Sequence, residues 1–210
     1  MNVDTTTPRR AGHAPPLQAG RRLSASERRE AILDAAKPVF GASGYHAATT
    51  REIAAAAGVS EALLYQHFPG KRQLFEAVIN RAAEDLERRI SAAEQAPETM
   101  QTALRAYFAF VAEESELYRV FFREALQADP AFQQLYVEIS RRLLALCERH
   151  LDSITEKPPR PALLAHALGG MVSELALWWV EDRSLPLEEV VERAARMGES
   201  MYRSEVGDGS

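Results

Sequence analysis

The chain has 210 residues, 46% of them apolar and 26% charged, which excludes disorder along the whole length and supplies material for one large domain or a small one joined to a larger. Its formal net charge is -5, but residues 1 to 72 hold 10 Lys+Arg against 6 Asp+Glu, whereas the remainder holds 15 against 24. A basic head on an acidic body points to a polyanion-binding part and a part with another task. The single cysteine, Cys147, excludes an intramolecular disulfide framework and fits a reducing cytoplasm.

Residues 1 to 22 are rich in Thr, Pro, Gly and Arg without periodicity, and lack the apolar core of a secretion signal. They read as a flexible basic arm in which Arg9, Arg10, Arg21 and Arg22 are expected to follow a nucleic-acid backbone or reach a minor groove. Order begins near Ser24, which has capping-box spacing to Glu27, and Ile32, Leu33, Ala36, Val39 and Phe40 then share one helical face. Pro38 inside this helix removes a backbone donor and is expected to bend it or loosen the turn. Gly44 reads as its left-handed terminator. A second capping box, Thr49 with Glu52, opens TTREIAAAA, which Gly58 ends; Ser60 caps EALLYQHF, which Pro69 and Gly70 end. Two short helices joined by Ala-Gly-Val-Ser form a helix-turn-helix pattern. Short helices are marginal alone, so Ile53, Ala57, Val59, Leu64 and Phe68 must pack on the first helix. The result is a three-helix head over 24 to 70.

A long helix runs from Lys71 to about Ala96 with Leu74, Phe75, Val78, Ile79, Ala82, Leu86 and Ile90 on its apolar stripe, and Pro97 starts the next segment. Further helices are expected near 98 to 114, 116 to 127, 130 to 154, 161 to 182 and 187 to 203. No stretch alternates polar and apolar residues at strand spacing. The expected fold is therefore all-α, with about nine helices: an N-terminal helix-turn-helix head on a C-terminal helical bundle over 71 to 203, then a tail over 204 to 210. The segment 162 to 180 approaches membrane-spanning length but contains His166 and Glu174. A central carboxylate costs on the order of 2.5 to 3.5 kcal/mol on insertion, so a buried helix of a soluble protein, with no membrane partner, is the reading.

The head carries the chemistry. Thr50 and Arg51 open one helix, where unpaired backbone N–H groups favour phosphate. Tyr65 and His67 stand near the end of the next, and Lys71 with Arg72 begins the third. The stretch ATTREIAAAAGVSEALLYQHFPGKRQLFEAVI, residues 48 to 79, resembles the DNA-binding head of the TetR family of dimeric, ligand-responsive transcriptional repressors. Its most specific part is the Gly-Val-Ser turn followed by Leu-Tyr-x-His-Phe-x-x-Lys. The resemblance implies that Thr50, Tyr65, His67 and Lys71 contact the DNA backbone and that Arg51 touches a base. It also implies that Ser60, Glu61, Ala62, Leu63 and Gln66 form the face that reads sequence, with Gln66 suited to adenine and Leu63 to a thymine methyl. Leu63 replaces the Thr common there in the family, and Glu61 brings a negative charge toward DNA. Plainer roles stay open: Tyr65 covering a helix junction, His67 capping a helix, and Glu61 matching a helix dipole.

In the body, the helix over 161 to 182 is apolar nearly all round and needs burial on more than one side. Leu163, Ala167, Gly170 and Leu177 of this helix, with Val190, Val191, Ala194, Gly198 and Met201 of the last, are expected to form a four-helix homodimer interface, in agreement with the resemblance. Two heads would then meet successive major grooves of a pseudo-palindrome. Tyr107, Phe108, Phe121, Phe122, Tyr136, Cys147, Met171, Glu174 and Trp178 are candidates to line a pocket between helices. Glu174 stands out because a carboxylate within an apolar helix needs a partner, such as Arg123. The resemblance implies a small-molecule effector without naming it.

No enzyme is indicated. The histidines at 13, 46, 67, 150 and 166 lack metal-ligand spacing, and Cys147 with His150 has neither an orienting acid nor an oxyanion site. No cofactor is expected. The reading is a cytoplasmic, DNA-binding transcriptional regulator, a repressor released when an effector alters the helix from Lys71. The competing reading is a helical small-molecule carrier or protein-interaction module whose head has lost specific DNA binding.

Overall fold

The computed structural model describes residues 24 to 93, 99 to 126, 130 to 153 and 156 to 207. The basic arm and Pro97 lie outside the described residues. Nine helices are found among the described residues: α1 (Ala25–Ala47), α2 (Thr50–Ala56), α3 (Glu61–His67), α4 (Lys71–Ala93), α5 (Thr99–Glu113), α6 (Ser115–Leu126), α7 (Pro130–Ser153), α8 (Pro161–Glu181) and α9 (Leu187–Gly207). The all-α reading holds. The last helix runs past the expected end at 203 into the segment read as a tail.

Both capping boxes form as their spacing requires. The Ser24 Oγ accepts from the Glu27 N–H, and the Glu27 carboxylate accepts from the Ser24 N–H at 2.7 Å; Thr49 and Glu52 repeat the arrangement at α2. The break in α1 falls at Gly44, where φ is +76° and ψ 168°. Pro38 faces solvent, the side on which a helix tolerates weakened carbonyl bonds. Gly44 takes a conformation that other residues rarely adopt and redirects the chain into α2.

Ile32, Leu33, Ala36 and Phe40 of α1 are buried against Ile53, Ala54, Leu64 and Phe68, as the short helices require. This core does not stop at the head. It runs on through Leu74, Phe75 and Val78 of α4, Leu117 and Val120 of α6, and Phe132 of α7. Phe75 meets Phe40 at 5.0 Å between ring centroids and Phe132 at 5.2 Å, while Tyr45 meets Phe132 at 4.8 Å, edge-to-face distances at which aromatic rings attract. Around it, Arg81 of α4 pairs with Glu30 and Asp34 of α1 at 3.2 and 2.9 Å, and Lys37 of α1 pairs with Glu114, which joins α5 to α6.

The rest of the body closes around a second cluster, in which Phe108, Val111, Trp179 and Val191 are buried between α5, α8 and α9. Glycines set two close approaches. A Cβ on Gly169 would lie 2.5 Å from Leu144 Cδ2, and one on Gly198 would lie 2.7 Å from Met100 Sδ and 3.2 Å from Leu168 Cδ2. This corrects part of the interface expectation: Val190, Val191, Ala194 and Gly198 are buried within one protomer. Their side of α9 is the apolar stripe of an amphipathic helix, and α5 and α8 already use it. Among the described residues α8 is the one helix long and apolar enough to cross a membrane; Leu164, Ala165, Leu168, Val172, Ala176, Trp179 and Val180 face into the protein.

Phe75 of α4 packs on rings of both α1 and α7, so its truncation should be costly. Phe75→Ala is expected to lower unfolding stability by about 3 to 5 kcal/mol, read as a lower midpoint in urea with an unchanged slope.

Candidate nucleic-acid interface

The geometry of the head begins with its turn. Gly58 has φ +66°, and a Cβ there would touch nothing within 4 Å, so its requirement is conformational and not steric. The Val59 N–H bonds the Ala54 carbonyl at 3.0 Å across this turn. Ser60 caps α3 by accepting from the Leu63 N–H at 3.1 Å. Leu64 and Phe68 are buried, which fixes the rotation of α3 about its axis. Ser60, Ala62, Tyr65 and Gln66 are therefore exposed, with Glu61, Leu63 and His67 half-buried beside them. Tyr65 is 45% exposed, too much for a residue that merely covers a junction.

Thr50 and Tyr65, remote in sequence, meet here: the hydroxyls lie 3.1 Å apart, and Thr50 Oγ1 donates to the Glu61 carboxylate at 2.7 Å. Arg51 is exposed. Arg72 is exposed and faces Glu76 at 3.7 Å. Lys71 differs from the expectation. Its Nζ turns inward, donates to the His46 and Ala48 carbonyls at 3.0 Å each, and sits 4.7 Å over the Tyr45 ring. The break at Gly44 leaves carbonyls at the end of α1 in need of donors, and the ammonium supplies them. The spacing of residues in sequence held no sign of this role.

Residues 32 to 78 match the family model for bacterial regulatory proteins of the tetR family, and residues 96 to 197 match the tetracyclin repressor-like C-terminal domain. The chain belongs to the TetR family. It is similar to the HTH-type transcriptional activator FasR of Mycolicibacterium smegmatis, at 32% identity over 91% of this chain and 92% of that protein. It is also similar to the nucleoid occlusion factor SlmA of Vibrio vulnificus, at 33% identity over 70% and 81%. A tetR-family transcriptional regulator from Streptomyces coelicolor superposes with a TM-score of 0.75 at 27% identity, over 89% of this chain and 87% of that one. The protein is thus a DNA-binding transcriptional regulator of this family.

In this TetR-family body the residues named for a ligand pocket gather in part: Phe122 meets Phe121 at 6.1 Å and Tyr136 at 5.4 Å between ring centroids, and Tyr118 links Phe122 to Tyr107. Tyr107, Phe108 and Phe121 are buried, whereas Phe122, Tyr136, Cys147 and Met171 are half-buried. They are spread over three packed clusters, and Phe122 and Met171 each touch two of them. Glu174 and Trp178 are exposed on α8, which removes the need for a buried partner such as Arg123. A depression of about 540 Å³ lies along α7 beside Gln133, Val137 and Arg141, and none of the pocket candidates lines it. Leu163, Ala167 and Gly170 are exposed on the same side of α8, with Leu177 and Met201 half-buried.

Two features escaped sequence reasoning. Tyr118 of α6 shares a 3.0 Å hydrogen bond with Tyr107 and donates to the Ser173 carbonyl of α8 at 3.5 Å. Burial raises both phenols above their ordinary pKa of 10.0, Tyr118 by more. His46 at the end of α1 approaches Glu124 of α6 at 3.0 Å, and Glu124 is the one buried charged side chain among the described residues. Neither pair has a sequence signal, because the partners are far apart in the chain.

Lys71→Met keeps the length of the stem but leaves two carbonyls without their donor; it should cost about 1 to 3 kcal/mol of stability, measured by urea unfolding in the absence of DNA. The tyrosine pair makes a separate prediction. Because the folded pKa values lie above the unfolded value of 10.0, the folded state holds protons that the unfolded chain releases. Their stabilising contribution is complete below pH 10 and declines as pH rises beyond it. In alkaline melts, Tyr107→Phe/Tyr118→Phe should lose stability with pH less steeply than the wild type.

Proposed function

We propose that the protein is a homodimeric regulator that binds a pseudo-palindromic operator and changes its DNA affinity when a small molecule occupies the body. The head is taken as residues 24 to 70 and the body as 71 to 203. The observation that carries this reading is the rotation of α3. With Leu64 and Phe68 held inside, Ala62, Tyr65 and Gln66 point outward, a set able to enter a major groove. Thr50 and Arg51 flank that face and are assigned to phosphate and base, and Ser60, Glu61 and Leu63 to its border. His67 keeps a backbone role. Lys71 is assigned to holding α1 against α4, so that any phosphate contact there comes from the backbone and not the ammonium.

The dimer is assigned to the outer face of α8. Leu163 is 53% and Trp178 43% exposed, and a Cβ on Gly170 would meet nothing within 4 Å, which leaves room for a second helix to approach closely. Met197 of α9 is exposed as well and extends the patch together with Met201. Effector control would act through α4 and α6, which both pack on α1. An effector must prefer one of two arrangements to shift the balance between them.

Repression is the sign that the head's resemblance implies. Activation is the second reading, favoured by the likeness to an activator along nine-tenths of the chain. A reporter placed behind the selected operator distinguishes them. The protein is placed with the chromosome, in the cytoplasm. A carrier or interaction module without operator specificity is the reading to be excluded.

Selection of bound fragments from random duplex DNA should enrich one pseudo-palindrome with the wild type and none with Tyr65→Ala at the same salt. No enrichment from a folded wild-type protein would overturn the operator reading. Trp178→Glu should shift sedimentation from dimer to monomer at micromolar concentration; an unchanged dimer would move the interface elsewhere.

A further inference from the structure

The hydroxyls of Thr50 and Tyr65 have one proton each, and the structure shows where both go. An ionised carboxylate only accepts, so the 2.7 Å contact takes the Thr50 proton to Glu61. The Thr50 oxygen is then left as an acceptor for Tyr65, whose hydroxyl lies 3.1 Å away. A phosphate also only accepts. In this arrangement neither hydroxyl has a proton to give it, although both stand on the face assigned to DNA. The contact shown for the Glu61 carboxylate among the described residues is the one with Thr50.

We propose that Glu61 is a specificity-determining residue that makes the phosphate contacts of Thr50 and Tyr65 conditional on the base in front of it. This rests on the assignment of the α2–α3 face to DNA. The carboxylate exchanges Thr50 for a stronger donor when α3 lies over a base edge presenting an exocyclic amino group, cytosine N4 being the one that suits a glutamate. The exchange frees the Thr50 proton, which either goes to the backbone directly or turns to the Tyr65 oxygen and lets the Tyr65 proton go there instead, so that the pair then has one proton to donate. Over a base without that donor, the chain of hydrogen bonds stays closed and neither hydroxyl has a proton for the backbone. Glu61 thus weakens binding to the wrong sequence more than it strengthens binding to the right one.

The test measures affinity of the full-length protein for the selected operator and for a scrambled duplex of equal length, at fixed salt, by fluorescence anisotropy. Glu61→Ala should tighten the scrambled duplex roughly tenfold, the scale of one hydrogen bond to a charged group, and lower the operator-to-scrambled ratio. In a Thr50→Val background the same substitution should change the scrambled affinity by less than about twofold, since the proton it would free is absent. Glu61→Gln, which keeps the acceptor atom without the charge, should stay within about threefold of the wild type. A tenfold effect that persists with Thr50→Val, or a Glu61→Gln as large as Glu61→Ala, would mean plain charge repulsion and overturn the proposal. A wild type that binds neither duplex would overturn the DNA assignment itself and the proposal with it.

Discussion

The contact between Phe75, Phe40 and Phe132 is the constraint on which the rest depends. Helices as short as α2 and α3 are marginal in isolation, and the residues that hold them to α1 belong to the same core that α4 and α7 complete. Phe75 stands one turn into α4, where that helix leaves the head for the body. Head and body are therefore fused through aromatic rings and are not separate units on a hinge. A close-packed interior does not deform smoothly, so a displacement of α4 or α6 must move α1 or repack these rings.

Polar groups around this seam restrict how that repacking can occur. Lys71 holds the end of α1 by two carbonyls, and His46 and Lys37 bring α1 to carboxylates on and beside α6. Glu124 is buried, and the contact with His46 at 3.0 Å gives its carboxylate a polar partner there. The body combines tight glycine approaches at Gly169 and Gly198 with an α8 face that has no such neighbours. The contrast between the two sides of one apolar helix is what turns attention to a second subunit.

The helices were legible in the sequence because their signals are local. Capping boxes at Ser24 and Thr49, a serine cap at Ser60 and glycines at 44 and 58 act within a few residues, and the buried face of α3 followed from Leu64 and Phe68. Pro38 is accommodated within α1 on its exposed side, and the position with non-helical backbone angles is Gly44. The interface assigned to Val190, Val191, Ala194 and Gly198 failed. Small apolar residues permit close approach without saying whether the partner is the same chain or another.

The resemblance of residues 48 to 79 pointed to the family, and by itself the sequence determined the all-helical fold, the helix-turn-helix head and which face of α3 is left outside the core. These depend on local propensity and on amphipathic period, both of which are written in neighbouring residues. Only the tertiary structure decided that Lys71 turns inward, that Thr50, Tyr65 and Glu61 share protons, that Tyr107 meets Tyr118, and that Trp178 faces outward. Each of these is a contact between residues distant in the chain or a choice of helix face, set by how the elements pack together.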